Sequence, residues 1–321
     1  MDDILEDKPK ESSELGVEVY PGARLTDMEY ADDIVLLSPF AGDVQTMFNK
    51  ISSMEEQGIK VCCTSGTPTA TGGCEKYTPL GTVACLSTSG PRGYLAMPSA
   101  TQVTNKSAIL LVYDIFGFDI VQTRRFADLL AEKTRMRVLM PDFFRGQPWL
   151  LQNFPPKDRS HFINWVEQAG RWDIISEDLK CAREYLLTNG LDATASFGII
   201  GFCWGGKQAI RACSGQSHAR HLGFSFTAGV SLHGAFFGPD DVEHATVPML
   251  FMPAGDDPAI DPLKAVLDKK PFGHQCAYHR FDTETHGFAA ARGDWNIPHT
   301  RQAIEKALTL TAEFFNKFLP L

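Results

Sequence analysis

The residues best placed to do chemistry lie in a short glycine-rich segment, GFCWG, at positions 201–205. The segment ends an apolar run over 197–202 that predicts a buried strand, and a helical pattern follows over 205–212. A nucleophile between two glycines on a strand-to-helix turn is typical of a nucleophile elbow. Such a turn places the sulfur of Cys203 at a helix N-terminus, where the helix dipole favours a thiolate. The pattern therefore predicts nucleophilic chemistry at Cys203, and its structural alternative is a small buried cysteine in a glycine-rich turn.

Two later segments supply the acid and the base that such a nucleophile needs. A strand pattern over 249–254 is followed by Asp256 and Asp257, and another over 276–281 is followed by His286. The chain order nucleophile, acid, histidine is that of α/β-hydrolases. We expect His286 to be the base and one of the two aspartates to hold its tautomer and balance the imidazolium.

Four further side chains are candidates for contact with a substrate. Phe116 follows a predicted strand, and His233 follows another. Arg145 and Arg292 could each meet a substrate carboxylate through two hydrogen bonds. Each has a structural alternative: core packing for the phenylalanine, hydrogen bonds to nearby backbone for the histidine, and surface charge for the arginines. The aromatic-rich segment 145–169 could cover the pocket.

The elements that must position these residues alternate between apolar runs and helical patterns. The sequence predicts strands over 82–86, 108–114, 137–140, 197–202, 226–232, 249–254 and 276–281, and helices over 120–133, 174–188, 205–212 and 300–318. Continuous apolar strands separated by helices indicate a parallel sheet that is covered on both faces. We therefore predict the α/β class: a mostly parallel sheet with helices on both faces.

Charged side chains are distributed unevenly along the chain. Residues 1–60 hold 14 of the 39 acidic and 5 of the 30 basic side chains, so they carry the whole net charge of -9. Residues 61–321 are formally neutral and lack the basic surplus of a nucleic-acid-binding protein. No apolar run reaches the ~20 residues of a membrane span, and the first residues do not resemble a secretory signal. We expect a cytoplasmic protein with no membrane or nucleic-acid partner.

The cysteines do not predict a metal site. Eight are present, without repeated CxxC spacing or a nearby histidine that completes a zinc pattern. Reduced thiols are expected in a cytoplasmic protein. We expect a small-molecule partner and no bound metal.

Four motifs together resemble the dienelactone hydrolase, or carboxymethylenebutenolidase, family over roughly residues 61–321. They are VYDIFG at 112–117, MPDFFRG at 140–146, GFCWGG at 201–206 and HGFA at 286–289. The resemblance implies an α/β-hydrolase fold and hydrolysis of small esters or lactones without a cofactor, through a Cys/Asp/His triad and a thioester intermediate. A monomer or a weak homodimer is expected.

The resemblance also implies roles for particular residues. The triad maps to Cys203, Asp257 and His286, where the G-x-D spacing of the family selects Asp257 over Asp256. A carboxylate that helps to take the proton of the cysteine maps to Asp114. Bacterial members carry glutamate at this position, so the reach of the shorter side chain to the sulfur is open. The structural alternative for Asp114 is a cap on the helix that begins near residue 119.

The fold and the family imply an oxyanion hole made from two backbone N–H groups. These belong to Trp204, directly after the nucleophile, and to Ile115, in the loop after the first core strand. A second class of function remains open, in which the same fold serves as a thiol-based redox sensor or binding protein without hydrolase turnover.

The acidic leading segment has a different resemblance. Residues 21–60, with Tyr-Ala-Asp-Asp at 30–33, are similar to part of a retrotransposon reverse transcriptase. The further carboxylate, fingers subdomain and template groove of a polymerase are missing, so we expect no polymerase activity. We expect residues 1–60 to be an acidic appendage, disordered or loosely docked, that entered by gene fusion or by an error in the gene model.

Overall fold

The computed structural model describes residues 77–99, 103–215 and 221–321, and the backbone of two short strands near the N-terminus. These strands, β1 (Glu18–Tyr20) and β2 (Ala23–Arg24), pair antiparallel. The chain divides into two units, residues 1–47 and 48–321. Apart from these two strands, the expectation that residues 1–60 are disordered or loosely docked, including the Tyr-Ala-Asp-Asp segment at 30–33, lies outside the described residues.

An eight-stranded sheet forms the centre of the second unit. Its strands are β3 (Thr82–Cys85), β4 (Arg92–Ala96), β5 (Ser107–Val112), β6 (Arg137–Pro141), β7 (Ser196–Phe202), β8 (Ala228–Leu232), β9 (Met249–Met252) and β10 (Ala277–Tyr278). They lie in the order β10-β9-β8-β7-β5-β6-β4-β3, with antiparallel pairing only at β3–β4 and β4–β6. The mostly parallel sheet that the sequence predicts is confirmed.

Helices connect the strands. They are α1 (Val121–Thr134), α2 (Arg159–Ala169), α3 (Trp172–Thr188), α4 (Trp204–Ala212), α5 (Pro239–Val242), α6 (Asp261–Leu267) and α7 (Pro298–Phe318), with 3-10 turns at Leu151–Asn153 and Gly273–Gln275. None of the helices in the described ranges has the length and apolarity that a membrane span requires.

Two successive residues of β7 show that helices cover both faces of the sheet. The ring of Phe202 packs edge-on against Phe126 of α1, with the centroids 5.0 Å apart. The neighbouring Gly201 faces α4 instead, because a Cβ at this position would lie 1.9 Å from the Gly205 carbonyl oxygen. Since successive side chains of a strand point to opposite faces, α1 and α4 lie on opposite sides of the sheet.

The predicted elements are confirmed within a few residues at most ends, and four elements of the second unit are additional: β4, α2, α5 and α6. The antiparallel strand β4 was not predicted, because its short sequence RGYLA carries an arginine and a glycine and becomes a strand by pairing between β3 and β6. The helix α2 falls inside the segment that we expected to cover the pocket. The last strand is shorter than predicted, and one further bridge joins Ala254 to Phe281.

Strand register brings the carboxyl ends of the central strands to one edge. Val112 pairs with Gly201 between β5 and β7, and Phe202 pairs with Leu232 between β7 and β8. Every residue of β5 is buried, as expected for a strand covered on both faces. The residues that directly follow β5, β7, β8 and β9 therefore emerge side by side, where ligand sites of open parallel sheets form.

Candidate active site

Cys203 lies on a sharp turn between β7 and α4. Its backbone has φ 52° and ψ -117°, a conformation that L-residues rarely adopt. Glycine is required on both sides, since a Cβ at Gly201 would collide with the next turn and one at Gly205 would lie 2.3 Å from the Val112 carbonyl oxygen. The carbonyl of Cys203 accepts hydrogen bonds from Gly206 and Ala235 N–H, both 2.9 Å. The turn is thus held rigidly in a strained conformation.

His286 and Asp257 form a buried pair beside this turn. The imidazole Nδ1 lies 2.6 Å from Asp257 Oδ1, and each side chain is at most 5% exposed. Asp257 Oδ2 accepts a further hydrogen bond from the Ala254 N–H at 2.7 Å. Asp256 plays a different part, because its Oδ1 accepts the backbone N–H of His286 at 2.6 Å. One aspartate therefore holds the ring and the other holds the backbone.

Asp257 and His286 shift each other's pKa in opposite directions. Burial alone would lower the pKa of His286, but the negative charges of Asp257 and Cys203 raise it well above its ordinary value. Burial alone would raise the pKa of Asp257, but the charge and the hydrogen bond of His286 lower it. The site thus favours an imidazolium held against a carboxylate. The Cys203 sulfur lies close enough to His286 to help raise its pKa.

Asp114 follows β5 and is fully enclosed. Its Oδ1 accepts the Phe116 N–H at 2.9 Å, and its Oδ2 accepts the Ala291 N–H at 3.1 Å. Burial raises the pKa of Asp114, and these N–H groups reduce the increase. The alternative role as a helix cap is not found, because α1 begins after Ile120 without a side-chain cap. Asp114 instead joins the loop after β5 to the loop after His286.

Asp114, Cys203 and His286 line one small cavity of about 20 Å³. Its lining consists of Asp114, Ile115, Phe116, Phe154, Cys203, His286, Gly287, Ala291 and Arg292. The Nε2 atom of His286 is buried and has no hydrogen-bond partner within the described part of the chain. A ring nitrogen without a partner, a thiol and a cavity meet here, so a bound carbonyl compound could be attacked and protonated at this point.

The oxyanion hole that the fold and the family imply would use the backbone N–H groups of Trp204 and Ile115. Trp204 is the first residue of α4, and the first N–H groups of a helix have no partner within the helix. Ile115 lies in the cavity lining, and its N–H donates no hydrogen bond among the described residues. The indole of Trp204 packs into the core, 4.8 Å from the Phe144 ring centroid, so only the backbone of Trp204 belongs to the site.

Arg292 and two aromatic rings cover the cavity. The Arg292 guanidinium donates to the His286 carbonyl oxygen at 3.2 Å and lies 5.6 Å from the Phe154 ring centroid. Phe116 meets Phe154 edge-on at 5.4 Å. Phe154 was not among the predicted site residues, although it belongs to the aromatic-rich segment that we expected to cover the pocket.

Two predicted substrate contacts do not line this cavity. His233 is completely buried with φ 38°, and its ring centroid lies 5.2 Å from that of His286, outside the lining. Arg145 makes two hydrogen bonds to Asp178, of 3.1 and 2.8 Å, and its side chain is half exposed. Within the described residues, no cluster of three or more histidine, cysteine or acidic side chains could hold a metal ion.

Comparisons with known proteins identify the family. The family model described as the dienelactone hydrolase family matches residues 92–319. The carboxymethylenebutenolidase homolog of Xenopus tropicalis is 31% identical over 235 residues, which cover 71% of this chain and 87% of that protein. The mouse homolog is 30% identical over 218 residues, covering 66% and 82%.

A solved structure of an esterase/lipase from an uncultured bacterium has the same fold. Its TM-score is 0.52 at 13% sequence identity, over 83% of this chain and 98% of that one. At this identity the likeness concerns the fold alone. The motifs, the sheet and the family match lead to one conclusion: this chain belongs to the dienelactone hydrolase family.

Proposed function

We propose that this protein hydrolyses small esters or lactones through a thioester intermediate on Cys203. The observation that carries the proposal is the convergence of Cys203 and His286 on one cavity, with Asp257 2.6 Å behind the imidazole. The names of the curated relatives, carboxymethylenebutenolidase homologs, support the substrate class. The raised pKa of His286 supports a resting imidazolium that can give its proton to the leaving group.

In the first half-reaction the Cys203 sulfur attacks the carbonyl carbon and forms a C–S bond. The carbonyl oxygen becomes an oxyanion, which the N–H groups of Ile115 and Trp204 stabilise. The C–O bond of the ester then breaks, and His286 gives its proton to the departing alkoxide or enolate. A neutral imidazole and an acylated cysteine remain.

In the second half-reaction water resolves the thioester. Neutral His286 takes a proton from water, whose oxygen attacks the acyl carbon, and Asp257 balances the imidazolium that forms. The C–S bond breaks, the carboxylic acid leaves, and the Cys203 thiolate is restored. No metal or cofactor takes part in either step.

We assign to Asp114 an accessory role, in which its carboxylate takes the proton of Cys203 when substrate enters and returns it to the thiolate after the acid product leaves. Its place in the cavity lining and the raised pKa of Asp114 support this role. Both of its oxygens are occupied by backbone N–H groups at 2.9 and 3.1 Å, so the transfer requires one of these bonds to give way. Because the Ala291 N–H holds Asp114 Oδ2, the loop at Ala291 takes part in the proton transfer.

The residues that cover the cavity limit the size and charge of the substrates that can bind. A space of about 20 Å³ is too small for an ester, so Phe154 must move aside when substrate enters. Arg292 is then the cationic group beside the bound molecule, which favours an ester or lactone that carries a carboxylate. His233 and Arg145, which lie away from the lining, would reach substrate only after such a rearrangement.

An esterase assay with a p-nitrophenyl ester tests the proposal. The full chain should release p-nitrophenol, and Cys203→Ala should abolish turnover while Cys181→Ala, a matched change at a free cysteine outside the cavity, should preserve it. Alkylation should inactivate the wild-type enzyme. A Cys203→Ala variant with the wild-type rate would refute the triad. A folded wild type without turnover on ester and lactone panels would favour the thiol sensor or binding protein instead.

We further propose that the protein acts in the cytoplasm as a monomer or weak homodimer, and that residues 1–60 are an appendage separate from a hydrolase domain over 61–321. The change in charge and composition near residue 60 supports this boundary. Sequencing the native transcript across residues 50–65 tests it, and a message that reads continuously through this junction would exclude an error in the gene model.

A further inference from the structure

The loop that carries Asp257 lies between β9 and α6 and forms neither helix nor strand. We call residues 255–258 the acid loop. The backbone carbonyl oxygens of such a loop have no partner in a helix or a ladder, so they need other donors. Three of the four carbonyl oxygens in the acid loop accept hydrogen bonds from one side chain, Arg280. The position of the acid loop therefore depends on a residue more than 20 positions away in the sequence.

The guanidinium of Arg280 fits the acid loop as a fork. Its Nη1 donates to the Pro258 oxygen at 3.0 Å, and its Nη2 donates to the Gly255 oxygen at 3.0 Å and to the Asp257 oxygen at 2.5 Å. The side chain is 29% exposed, so most of it packs against the protein. Because a guanidinium is planar and its donors have fixed directions, these bonds restrict both the place and the orientation of the loop.

The backbone around Arg280 is itself held by the sheet. The His279 N–H donates to the Phe251 carbonyl oxygen at 3.0 Å, and the Phe281 N–H donates to the Pro253 carbonyl oxygen at 2.9 Å. Phe281 is buried, and successive side chains of an extended chain point to opposite sides, so Arg280 emerges on the other side. The guanidinium therefore reaches the acid loop from a fixed base.

The acid loop decides whether the carboxylate of Asp257 meets the imidazole. Asp257 Oδ1 lies 2.6 Å from His286 Nδ1, and the carbonyl of the same residue accepts from Arg280. Catalytic geometry is sensitive to small displacements, since a shift of about 1 Å can cost about a hundredfold in rate. A loop that loses three hydrogen bonds to one side chain would hold the carboxylate less closely against the ring.

The charge of Arg280 has a separate partner. Its Nε lies 3.4 Å from Asp282 Oδ1, and Asp282 is 81% exposed. An ion pair at the surface contributes little to stability. The three bonds to the acid loop all end on backbone oxygens, so they depend on the shape of the guanidinium more than on its charge.

We propose that Arg280 is a positioning residue, which holds the acid loop by three backbone carbonyls so that Asp257 stays against His286. The proposal rests on the proposed function for its effect on rate. Its structural part, the hold on the pair of Asp257 and His286, does not require turnover.

A double-mutant cycle in the full chain tests the effect on rate. Arg280→Met keeps the length of the side chain without its donors, and it should lower kcat for a p-nitrophenyl ester by about ten- to a hundredfold with KM within about twofold. In an Asp257→Asn background the same change should cost less than about twofold, because the carboxylate that Arg280 positions is already gone. Equal losses in the two backgrounds would overturn the proposal.

Proton NMR of the imidazole reports the positioning without turnover. The hydrogen-bonded Nδ1 proton of His286 should give a low-field signal in the wild type and move upfield in Arg280→Met. The pKa of His286 should fall in the variant, because the negative charge of Asp257 helps to raise it. A folded Arg280→Met with the wild-type signal and pKa would overturn the proposal. Loss of the signal in a chain whose wild type hydrolyses no ester would refute the proposed function and retain the positioning role.

Two further variants separate the fork from charge and from misfolding. Asp282→Asn removes the exposed ion-pair partner alone and should match the wild type in kcat and in the His286 signal. Arg280→Lys keeps the charge, but one ammonium nitrogen cannot replace both Nη1 and Nη2, so kcat should still fall and the loss should again vanish in Asp257→Asn. If Arg280→Met fails to fold, Arg280→Lys decides the question, and a wild-type kcat in that variant would overturn the proposal.

Discussion

The buried imidazole of His233 should make the stability of the fold depend on pH below about 6.5. The ring is completely buried, and neither of its nitrogens has a hydrogen-bond partner among the described residues. Burial, together with the positive charge of neighbouring His286, lowers the pKa of His233 from 6.5 to about 3. In the unfolded chain the same ring titrates at its ordinary value. The two states therefore bind different numbers of protons in mildly acidic solution.

The sign and size of the effect follow from proton linkage. Above pH 6.5 the ring is neutral in both states and contributes no pH dependence. Between pH 6.5 and about 3 the unfolded chain binds one more proton, so the free energy of unfolding falls as the solution is acidified, by about 1.4 kcal/mol per pH unit. The loss attributable to His233 reaches about 2 kcal/mol at pH 5.

Urea denaturation of the wild type and of His233→Phe at pH 7.5, 6 and 5 measures this contribution. Phenylalanine keeps a ring beside Phe288 and His286 but cannot be protonated. The stability of the variant relative to wild type should therefore rise by about 2 kcal/mol from pH 7.5 to 5. His286, whose pKa is raised, acts in the opposite direction, but it is present in both proteins and cancels in the comparison.

A matched control is His274→Phe, which removes an exposed imidazole and should not reproduce the effect. Parallel stability curves for the wild type and His233→Phe between pH 7.5 and 5 would refute the reasoning. Such a result would mean that the buried ring accepts a proton as readily in the folded state as in the unfolded chain.

Four further substitutions test the aspartate pair, the cysteine turn and the cationic residue of the cavity. Asp257→Asn should lower kcat by up to about 10⁴-fold, whereas Asp256→Asn, at a side chain that accepts the backbone N–H of His286, should cost far less; equal losses in ester assays would contradict these roles. Gly201→Ala should prevent folding or lower the urea midpoint sharply, since its Cβ would lie 1.9 Å from the Gly205 carbonyl oxygen; an unchanged midpoint would contradict the turn geometry. Arg292→Gln should reduce kcat/KM for p-nitrophenyl esters with a terminal carboxylate more than for neutral esters of equal length, and equal reductions would exclude carboxylate recognition.

The central strands and the cysteine turn could be predicted because each is encoded locally. A strand buried on both faces must be apolar throughout, as in SAILLV of β5, and a turn with positive φ at Cys203 needs glycines beside it. The strand β4 could not be predicted from its own residues, because RGYLA becomes a strand only through its two neighbours.

The surroundings of the site depend on contacts between distant segments. The spacing of residues does not reveal that Arg145 pairs with Asp178, or that the Ala291 N–H reaches Asp114 across 177 positions. His233 follows β8 as predicted, but its backbone has a positive φ and its ring lies beside His286, outside the cavity lining. These contacts depend on tertiary packing. The sequence therefore predicted which residues could belong to the site, but not which residues they contact.

Mass spectrometry of the enzyme, quenched in acid during turnover of a p-nitrophenyl ester, shows whether Cys203 carries the acyl group. We expect a mass increase of one acyl group on the peptide that contains Cys203, released by hydroxylamine as a thioester should be. Asp257→Asn should slow the clearing of this adduct, because His286 then lacks the carboxylate that supports water activation. Turnover with the acyl group on another residue, or undiminished turnover in Cys203→Ala, would contradict a thioester mechanism at this cysteine.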